Sequence, residues 1–312
     1  MKKYISAGII LLSALALAGC KKSDSSSSTK PSLDGLAISQ VSNYVAPGTT
    51  LTFKAGVGAI TASDGTNPVV GLYWQVNSAQ KDTTTLDVSK AAPEDLMYEY
   101  TADTLGSYVV YCYAFSGTDY YVSSAASSFR AIDSRTALTG ISMARNITVK
   151  GTIWNARDIS HATLGRSYRN SPILDDVLGK LFTWEEAMDA CPEGWHLPTV
   201  AEFEASFADE DGIIHAGDLM ADASFLESRM WEYWKDVQIN NQFGFNALPI
   251  GYNDDMDSFN PYGKWGEYAM WWTADQSGDT AAYMYIFEDY PEVRIGQGDK
   301  KSLAMSVRCV KD

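Results

Sequence analysis

The distribution of tryptophan along the chain is the strongest constraint on how it can fold. Eight of the nine tryptophans lie beyond residue 150, as do all three histidines, whereas the preceding segment is rich in Ser, Thr, Tyr and Val. The 312 residues are enough for two hydrophobic cores, since domains usually hold roughly 100 to 200 residues. We therefore predict two modules, at residues 33–132 and 137–312, with a boundary near Asp133 to Thr139.

Residues 1–19 have the features of an export signal. A basic start precedes an apolar run from Ile5 to Leu17, which is too short to span a membrane as an ordinary helix. The run leads into the string LAGC, which ends at Cys20 and resembles the lipobox of bacterial lipoproteins. This resemblance implies that the leader is removed and that Cys20 is acylated.

Residues 20–32 are predicted to be a lipidated cysteine followed by a flexible tether. The stretch from Lys21 to Lys30 is almost entirely Ser, Lys and Asp, a composition that cannot bury apolar surface. Lys21 rather than an acidic residue follows Cys20, and by resemblance to other lipoproteins this favours the outer membrane. We expect a cell-envelope protein that is lipid-anchored to that membrane, either facing inward or exposed on the cell surface.

The charge of the chain argues against nucleic acid as a partner. It carries 39 acidic and 24 basic residues, for a formal charge of −15, and such a surface repels phosphate backbones. The three histidines, His161, His196 and His215, do not have the H-E-x-x-H spacing. We expect no cofactor, and we interpret His196 as a packed, hydrogen-bonded residue.

The four cysteines suggest one disulfide. With Cys20 assigned to lipid, three remain in an exported chain, where disulfides persist. Cys112 lies in a strand-like run and is interpreted as a small buried hydrophobic residue. Cys191 and Cys309 both fall in the second module, so we predict that they pair.

The first module is predicted to be an all-β, immunoglobulin-like sandwich. Short strand-like runs rich in Val, Thr and Tyr alternate there with turn clusters. Trp74 and the segment from Asp103 to Tyr108 resemble the core tryptophan and the tyrosine corner of immunoglobulin-like and PKD-like domains. Val110 stands where a second cysteine would be, and a sandwich is still compatible because Trp74 can pack against aliphatic residues instead. A spacer is the preferred interpretation, and binding through the loops is the alternative.

Two short helices are predicted in the second module. Thr183 with Glu186, and Thr199 with Glu202, form capping boxes, in which a hydroxyl and a carboxylate satisfy the free N–H groups at a helix start. The buried face of the first helix is predicted from helical spacing: Trp184, Ala187, Met188 and Cys191. Short strands and long glycine-bearing loops are expected after the second helix.

Five sequence blocks in the second module carry a family resemblance. They are GKLFTWEEAMDACPEGWHLPTVAEFEA from Gly179, AGDLM from Ala216, FGFNALPIGY from Phe243, WWTA from Trp271 and MSVRCVKD from Met305. In this order they resemble the Fibrobacter succinogenes major paralogous domain. The resemblance implies an α+β fold similar to the C-type lectin-like and formylglycine-generating-enzyme group. In that fold the cysteine ending the first helix pairs with one in the final strand, which agrees with the predicted pair. The family has no well-established activity.

The sequence lacks the residues that calcium-dependent lectins use to bind sugars and those that formylglycine-generating enzymes use to bind copper. Calcium-dependent lectins use an acidic residue with Pro and Asn and a later Trp-Asn-Asp, and neither string occurs. The nearest group of oxygen-bearing side chains lies in one loop and consists of Asp254, Asp255, Asp257 and Asn260. The simpler interpretation is that water solvates these side chains, and calcium binding is the alternative. Formylglycine-generating enzymes need reactive cysteines to bind copper, and a disulfide between Cys191 and Cys309 would leave no thiolate in the module.

Aromatic residues provide the remaining functional candidates. Trp271 and Trp272 match the family framework and are predicted to be core. The candidate ligand-binding residues lie in two loops, 229–234 and 252–268: Trp231, Tyr233, Trp234, Tyr252, Phe259, Tyr262, Trp265 and Tyr268. Packing of these loops on themselves is the alternative.

Taken together, these features predict a non-enzymatic lipoprotein whose second module binds a glycan or a protein. Its expected partners are the membrane, through the lipid, and that ligand. Two alternatives remain, namely a structural or assembly component of the envelope and an oxidase related to the formylglycine group.

Overall fold

The computed structural model describes residues 36–56, 69–87, 92–116, 120–142, 144–231, 237–255 and 262–312. The chain divides into two compact units, the first comprising Met1–Val41, Leu51–Tyr100 and Tyr108–Ser128, the second Ser42–Thr50, Thr101–Ser107 and Phe129–Asp312. Among the described residues, no helix has the length and apolar character needed to cross a bilayer. The leader, Cys20 and the tether lie outside the described residues, and the module borders stay predictions.

The described residues before Ile132 form strands and one short 3-10 helix, Pro93–Leu96. The strands are β1 Ala37–Ile38, β2 Tyr44–Val45, β3 Thr49–Gly56, β4 Val69–Val76, β5 Ala79–Asp87, β6 Met97–Ala102, β7 Gly106–Ser116, β8 Tyr120–Ser123 and β9 Ser127–Ala131. β4 pairs antiparallel with both β5 and β7, and β7 pairs with β8. β1, β3 and β6 form a separate three-stranded sheet. The predicted richness in strands is confirmed.

The core of the first unit is aromatic at its centre. Trp74 stacks on Tyr98, with ring centroids 5.3 Å apart, and packs on Phe53 at 6.4 Å. Strands β3 and β6 therefore each place an aromatic side chain against Trp74. Cys112 lies opposite Trp74, is buried and unpaired as predicted, and burial raises the pKa of its thiol to about 12.

The rest of the chain combines short helices with many short strands. The helices are α1 Ser134–Ala137, α2 Asp175–Leu178, α3 Trp184–Ala190, α4 Val200–Phe207 and α5 Ala216–Leu219, with 3-10 helices at Tyr168–Asn170 and Pro172–Leu174. The strands are β10 Leu138–Thr139, β11 Asn146–Val149, β12 Thr152–Asn155, β13 Arg166–Ser167, β14 Lys180–Leu181, β15 Trp195–His196, β16 Ser224–Phe225, β17 Ser228–Arg229, β18 Tyr252–Asp254, β19 Tyr262–Gly263, β20 Tyr268–Ser277, β21 Thr280–Phe287, β22 Arg294–Asp299, β23 Leu303–Ala304 and β24 Val310–Lys311.

Both predicted helices begin at their capping boxes. In α3 the Thr183 side chain accepts from the backbone N–H of Glu186, whose carboxylate accepts from the Thr183 N–H, and α4 repeats this arrangement with Thr199 and Glu202.

The predicted buried face of α3 is wrong at one position. Trp184 and Ala187 are buried as predicted and Cys191 is partly buried, whereas Met188 is 45% exposed. Since each residue turns the helix by about 100°, Met188 lies beside the stripe that the other three form.

The central sheet of the second unit is β20–β21–β22, which is antiparallel throughout. Trp271 packs into one hydrophobic cluster with Met284, whereas Trp272 packs into another with Trp184 of α3. Both faces of β20 are therefore covered. Trp271 and Trp272 are 1% and 0% exposed, which confirms their predicted place in the core.

The predicted disulfide is present. Cys191 follows α3 and Cys309 precedes β24, and the two are bonded with their Cα atoms 5.8 Å apart. The bond therefore ties the end of α3 to the strand segment that pairs with β12 and β15.

Candidate ligand-binding surface

The candidate site begins with an alternation of side chains along β21. Met284 and Ile286 are buried in the core, whereas Tyr283, Tyr285 and Phe287 are half-buried. Because successive side chains of a strand point to opposite faces of its sheet, these three aromatic rings share one face.

Neighbouring strands extend this face. The register pairs Phe287 with Tyr268, Tyr285 with Met270 and Arg294, and Tyr283 with Trp272 and Gly296. Residues directly opposite each other in antiparallel strands point to the same side. Met270 and Trp272 are buried, so the accessible part of the face lies toward β21 and β22. We call its half-buried rings the aromatic surface: Tyr268, Tyr283, Tyr285, Phe287 and Tyr290.

The rings of the aromatic surface contact one another in sequence. The centroids of Tyr283 and Tyr285 are 5.8 Å apart, and those of Tyr285 and Tyr268 are 6.1 Å apart with an interplanar angle of 30°. Tyr268 lies 4.7 Å from Phe287, which in turn lies 4.9 Å from Tyr290. The result is a row of contacting rings rather than a set of isolated aromatic residues.

Gly296 allows one ring to approach the backbone of β22 closely. A Cβ atom at Gly296 would come within 2.2 Å of Cζ and 2.5 Å of Oη of Tyr283. The Tyr283 ring therefore lies across the backbone of β22. Because its side chain is only half-buried, part of the ring is accessible to solvent.

Two cations border the aromatic surface. Lys264 Nζ lies 5.9 Å from the Tyr268 centroid and forms a 3.0 Å ion pair with Glu267, and the hydrogen bond to Glu267 raises the lysine pKa. The guanidinium carbon of Arg294 lies 3.9 Å from the Tyr290 centroid. Both contacts are cation–π interactions, in which the ring face attracts a positive charge.

Two hydroxyls of the aromatic surface, those of Tyr268 and Tyr283, remain neutral at physiological pH. Burial raises the pKa of both Tyr268 and Tyr283 above the ordinary value of 10.0. Each hydroxyl can therefore donate or accept a hydrogen bond while its ring provides an apolar face.

Two of the sequence-predicted aromatic residues lie in this region. Tyr268 belongs to the aromatic surface, and Tyr252 is half-buried and packs against the same hydrophobic cluster as Tyr268 and Tyr283. Tyr233, Trp234 and Phe259 lie outside the described residues.

The other predicted aromatic residues lie in the core or at its margin. Trp231 is 1% exposed and belongs to the cluster around Trp154, so its predicted place on a ligand-binding surface is wrong. Tyr262 and Trp265 pack on the buried ring of Tyr168, at centroid distances of 5.5 and 4.8 Å. They form a group distinct from the aromatic surface, attached to a different hydrophobic cluster.

One of the two described aspartates of the acidic loop, Asp255, already has a cationic partner. Asp255 forms an ion pair with Arg166, whose guanidinium also donates to Asn253 Oδ1 at 2.7 Å. A guanidinium next to this carboxylate repels a second cation. Asp257 and Asn260 lie outside the described residues, and across the part of the chain that is described no group of three or more His, Cys, Asp or Glu could hold a metal ion.

A separate open cleft of about 380 Å³ lies beside α4 and α5, with Lys150, Asp209, His215, Asp218 and Gln242 among its lining residues. Asp209 accepts a 2.9 Å hydrogen bond from His215, and Asp218 accepts from Asn240 at 2.8 Å. The carboxylates of Asp209 and Asp218 are therefore engaged in hydrogen bonds within the protein.

Sequence reasoning missed most of the aromatic surface. Tyr283, Tyr285, Phe287 and Tyr290 were not among the predicted binding residues, although the string TAAYMYIF from Thr280 alternates aromatic and aliphatic residues. That period of two predicts a strand with one aromatic face.

The second unit is thus a β-rich domain with two capped helices, one disulfide and an aromatic sheet face. Residues 142–311 match the model of the Fibrobacter succinogenes major domain. The chain belongs to the Fibrobacter succinogenes major domain family, which confirms the resemblance seen in the sequence blocks. No curated protein matches the chain.

Proposed function

We propose that this protein is a non-enzymatic, lipid-anchored protein of the cell envelope whose second unit binds a glycan or protein ligand through the aromatic surface. The observation that carries the proposal is the row of contacting, half-buried rings from Tyr283 to Tyr290. Tyrosine rings combine a rigid apolar face with a polar edge, and such residues dominate recognition energetics.

The proposed architecture is a spacer that carries a binding module. Packing of Trp74 between strands of two sheets supports an immunoglobulin-like first unit. A disulfide from the end of the first capped helix to the last strand segment supports a C-type lectin-like fold for the second unit. In this proposal the first unit is a spacer between the tether and the second unit.

The proposed anchor is lipid on Cys20. Its support is the LAGC string and the Ser-rich segment that follows, which would act as a flexible tether between the membrane and the folded units. Acyl chains contribute about 0.8 kcal/mol for each buried methylene, so several chains hold a protein durably. The outer membrane is the proposed location.

The state of the cysteines supports a binding role over an oxidase. Cys191 and Cys309 are bonded to each other, and Cys112 is buried with its pKa raised to about 12 by burial. Reactive cysteines are accessible thiolates with a lowered pKa. The cysteines of the described units have neither property.

A binding screen with variants tests the proposal. Full-length protein in detergent is applied to glycan and protein arrays, alongside Tyr285→Ala and Tyr268→Ala. Both substitutions are expected to abolish binding to any ligand found, because they remove central rings of the aromatic surface. Tyr111→Ala is the matched control, since Tyr111 is a half-buried strand tyrosine of the first unit. Ligands bound equally by all four proteins would show that the aromatic surface is not the site.

A further inference from the structure

We infer that the ligand is a glycan carrying sugar carboxylates, with Arg294 as the residue that binds the carboxylate. This inference rests on the proposed function, because it assigns a ligand class to the aromatic surface. It follows from the position of Arg294, its charge environment and the chemistry of the adjacent rings.

Arg294 lies within the aromatic surface rather than beside it. It is directly opposite Tyr285 across the β21–β22 pair, and therefore on the same face of the sheet. Its guanidinium carbon lies 3.9 Å from the centroid of Tyr290. A planar cation is thus held against one ring and next to another, while the Arg294 side chain remains exposed.

Among the described residues, Arg294 lacks the carboxylate partner that several other arginines of the second unit have. Four arginines of the second unit form ion pairs with aspartates: Arg135 with Asp133, Arg166 with Asp255, Arg229 with Asp222, and Arg308 with Asp158. Arg294 makes no ion pair within the described ranges. In a chain with 39 acidic and 24 basic residues, an exposed guanidinium without a carboxylate partner suits an external anion.

The guanidinium geometry favours a carboxylate. Arginine offers parallel N–H donors that match the two carboxylate oxygens, and such bidentate pairs are stronger than neutral hydrogen bonds. Stacking on Tyr290 restricts the Arg294 side chain before the ligand arrives, so less conformational entropy is lost on binding.

The neighbouring rings favour a sugar as the carrier of that carboxylate. A pyranose ring has an apolar C–H face and hydroxyls at its edge, which matches the aromatic rings and polar hydroxyl edges of Tyr283 and Tyr285. A uronic acid on the aromatic surface satisfies both the rings and Arg294.

Calorimetric titration of the full-length protein provides the test. The probes are an oligogalacturonate, a neutral maltooligosaccharide of the same length and an oligoglutamate peptide. We expect oligogalacturonate to bind best, and Arg294→Gln to weaken it about 10- to 100-fold, as expected for loss of a charge-assisted hydrogen bond. Arg294→Lys should recover part of this loss, and added salt should weaken the wild-type complex more than the Arg294→Gln complex.

The matched control is Arg229→Gln, which removes an exposed arginine whose partner is Asp222 and should leave binding unchanged. Failure to bind oligogalacturonate, or equal binding of it by Arg294→Gln, overturns the inference. Equal, Arg294-dependent binding of oligoglutamate overturns the choice of a glycan over a protein. If the neutral sugar binds best and only Tyr285→Ala weakens it, the inference fails while the proposed function stands. If Tyr285→Ala changes no binding at all, both fail.

Discussion

The ring of Tyr283 occupies the space in which a side chain at Gly296 would begin. A Cβ atom at Gly296 would lie 2.2 Å from Cζ of Tyr283, a distance at which one of the two groups must move. Gly296 is opposite Tyr283 in the β21–β22 register, so the glycine is required by close approach of the ring. The position of the Tyr283 ring in the aromatic surface therefore depends on a residue that has no side chain.

Gly296→Ala is expected to displace the Tyr283 ring and to destabilise the protein by about 1–3 kcal/mol, the usual range for overpacking. Chemical denaturation measures the loss. The double variant Tyr283→Ala/Gly296→Ala is the control, because it removes the ring that the new methyl group would strike. If adding Gly296→Ala to Tyr283→Ala costs as much as it does in the wild-type protein, the steric explanation is wrong.

We expect the free energy of unfolding to fall when one charge of the buried pair of Arg308 and Asp158 is removed. Their side chains are 1% and 3% exposed, and Asp158 also accepts a 2.8 Å hydrogen bond from Trp271 Nε1. Burial lowers the pKa of Arg308, and Asp158 opposes that effect.

Asp158→Asn should therefore cost about 3–5 kcal/mol of unfolding free energy, because it leaves a buried guanidinium uncompensated. Asp222→Asn removes the partner of an exposed arginine and should cost no more than about 1 kcal/mol. Equal losses in the two variants would contradict the burial argument.

Reduction of the disulfide is expected to destabilise the second unit. Cys191 and Cys309 are separated by 118 positions, and in the chain-entropy model closing a loop of that length contributes about 4–5 kcal/mol. The melting temperature of the second unit should fall in a reducing agent. The variant Cys191→Ala/Cys309→Ala should melt at the reduced temperature and should not respond to the reducing agent.

His196 is expected to make stability depend on pH. Its Nε2 lies 2.8 Å from Glu202 Oε1 and its Nδ1 lies 2.6 Å from Asp312 Oδ1. Burial alone would lower the pKa of His196, but the hydrogen bonds with Asp312 and Glu202 outweigh burial and raise it above 6.5. The stabilisation that protonated His196 gives to the folded state is therefore complete below pH 6.5, the unfolded-state pKa. It is lost as pH rises through the higher folded-state pKa.

Urea midpoints measured from about pH 5.5 to about pH 8.5 test this, since the interval spans histidine titration. The wild-type midpoint should fall relative to that of His196→Gln as pH increases. Parallel curves for the two proteins would show that His196 does not contribute to the pH dependence of stability.

Trp265→Ala is expected to lower stability without affecting ligand binding. Its ring lies 4.8 Å from Tyr168 and 5.6 Å from Phe225, within a cluster separate from the aromatic surface. Because Trp265 is only half-buried, the cost should be below the roughly 3–5 kcal/mol of a fully buried tryptophan. Thermal unfolding and array binding are measured together. Loss of binding at unchanged stability would indicate that Trp265 belongs to the ligand-binding site.

Local signals in the sequence predicted local structure well. The helix starts at Thr183 and Thr199 depend on residues three positions apart, so a short string contains the information for each. The pairing of Cys191 with Cys309 followed from counting because few alternatives remained. Burial of Trp271 and Trp272 followed from the family framework.

Surface exposure was harder to predict, because it depends on what covers a side chain. Trp231 and Tyr285 are both aromatic residues of the second unit, yet Trp231 is enclosed in a core cluster while Tyr285 remains half-buried on its sheet face. Met188 fits the helical spacing of its neighbours but lies just outside the buried stripe.

The sequence by itself determined the family, the two helix starts, the disulfide and the expectation of lipid on Cys20, because each depends on adjacent residues or on a count. The tertiary structure decided which rings form the aromatic surface and brought Arg294 beside Tyr285 and Tyr290. The physical reason is that strand register joins residues distant in sequence, and a shift of one residue would turn every side chain to the opposite face.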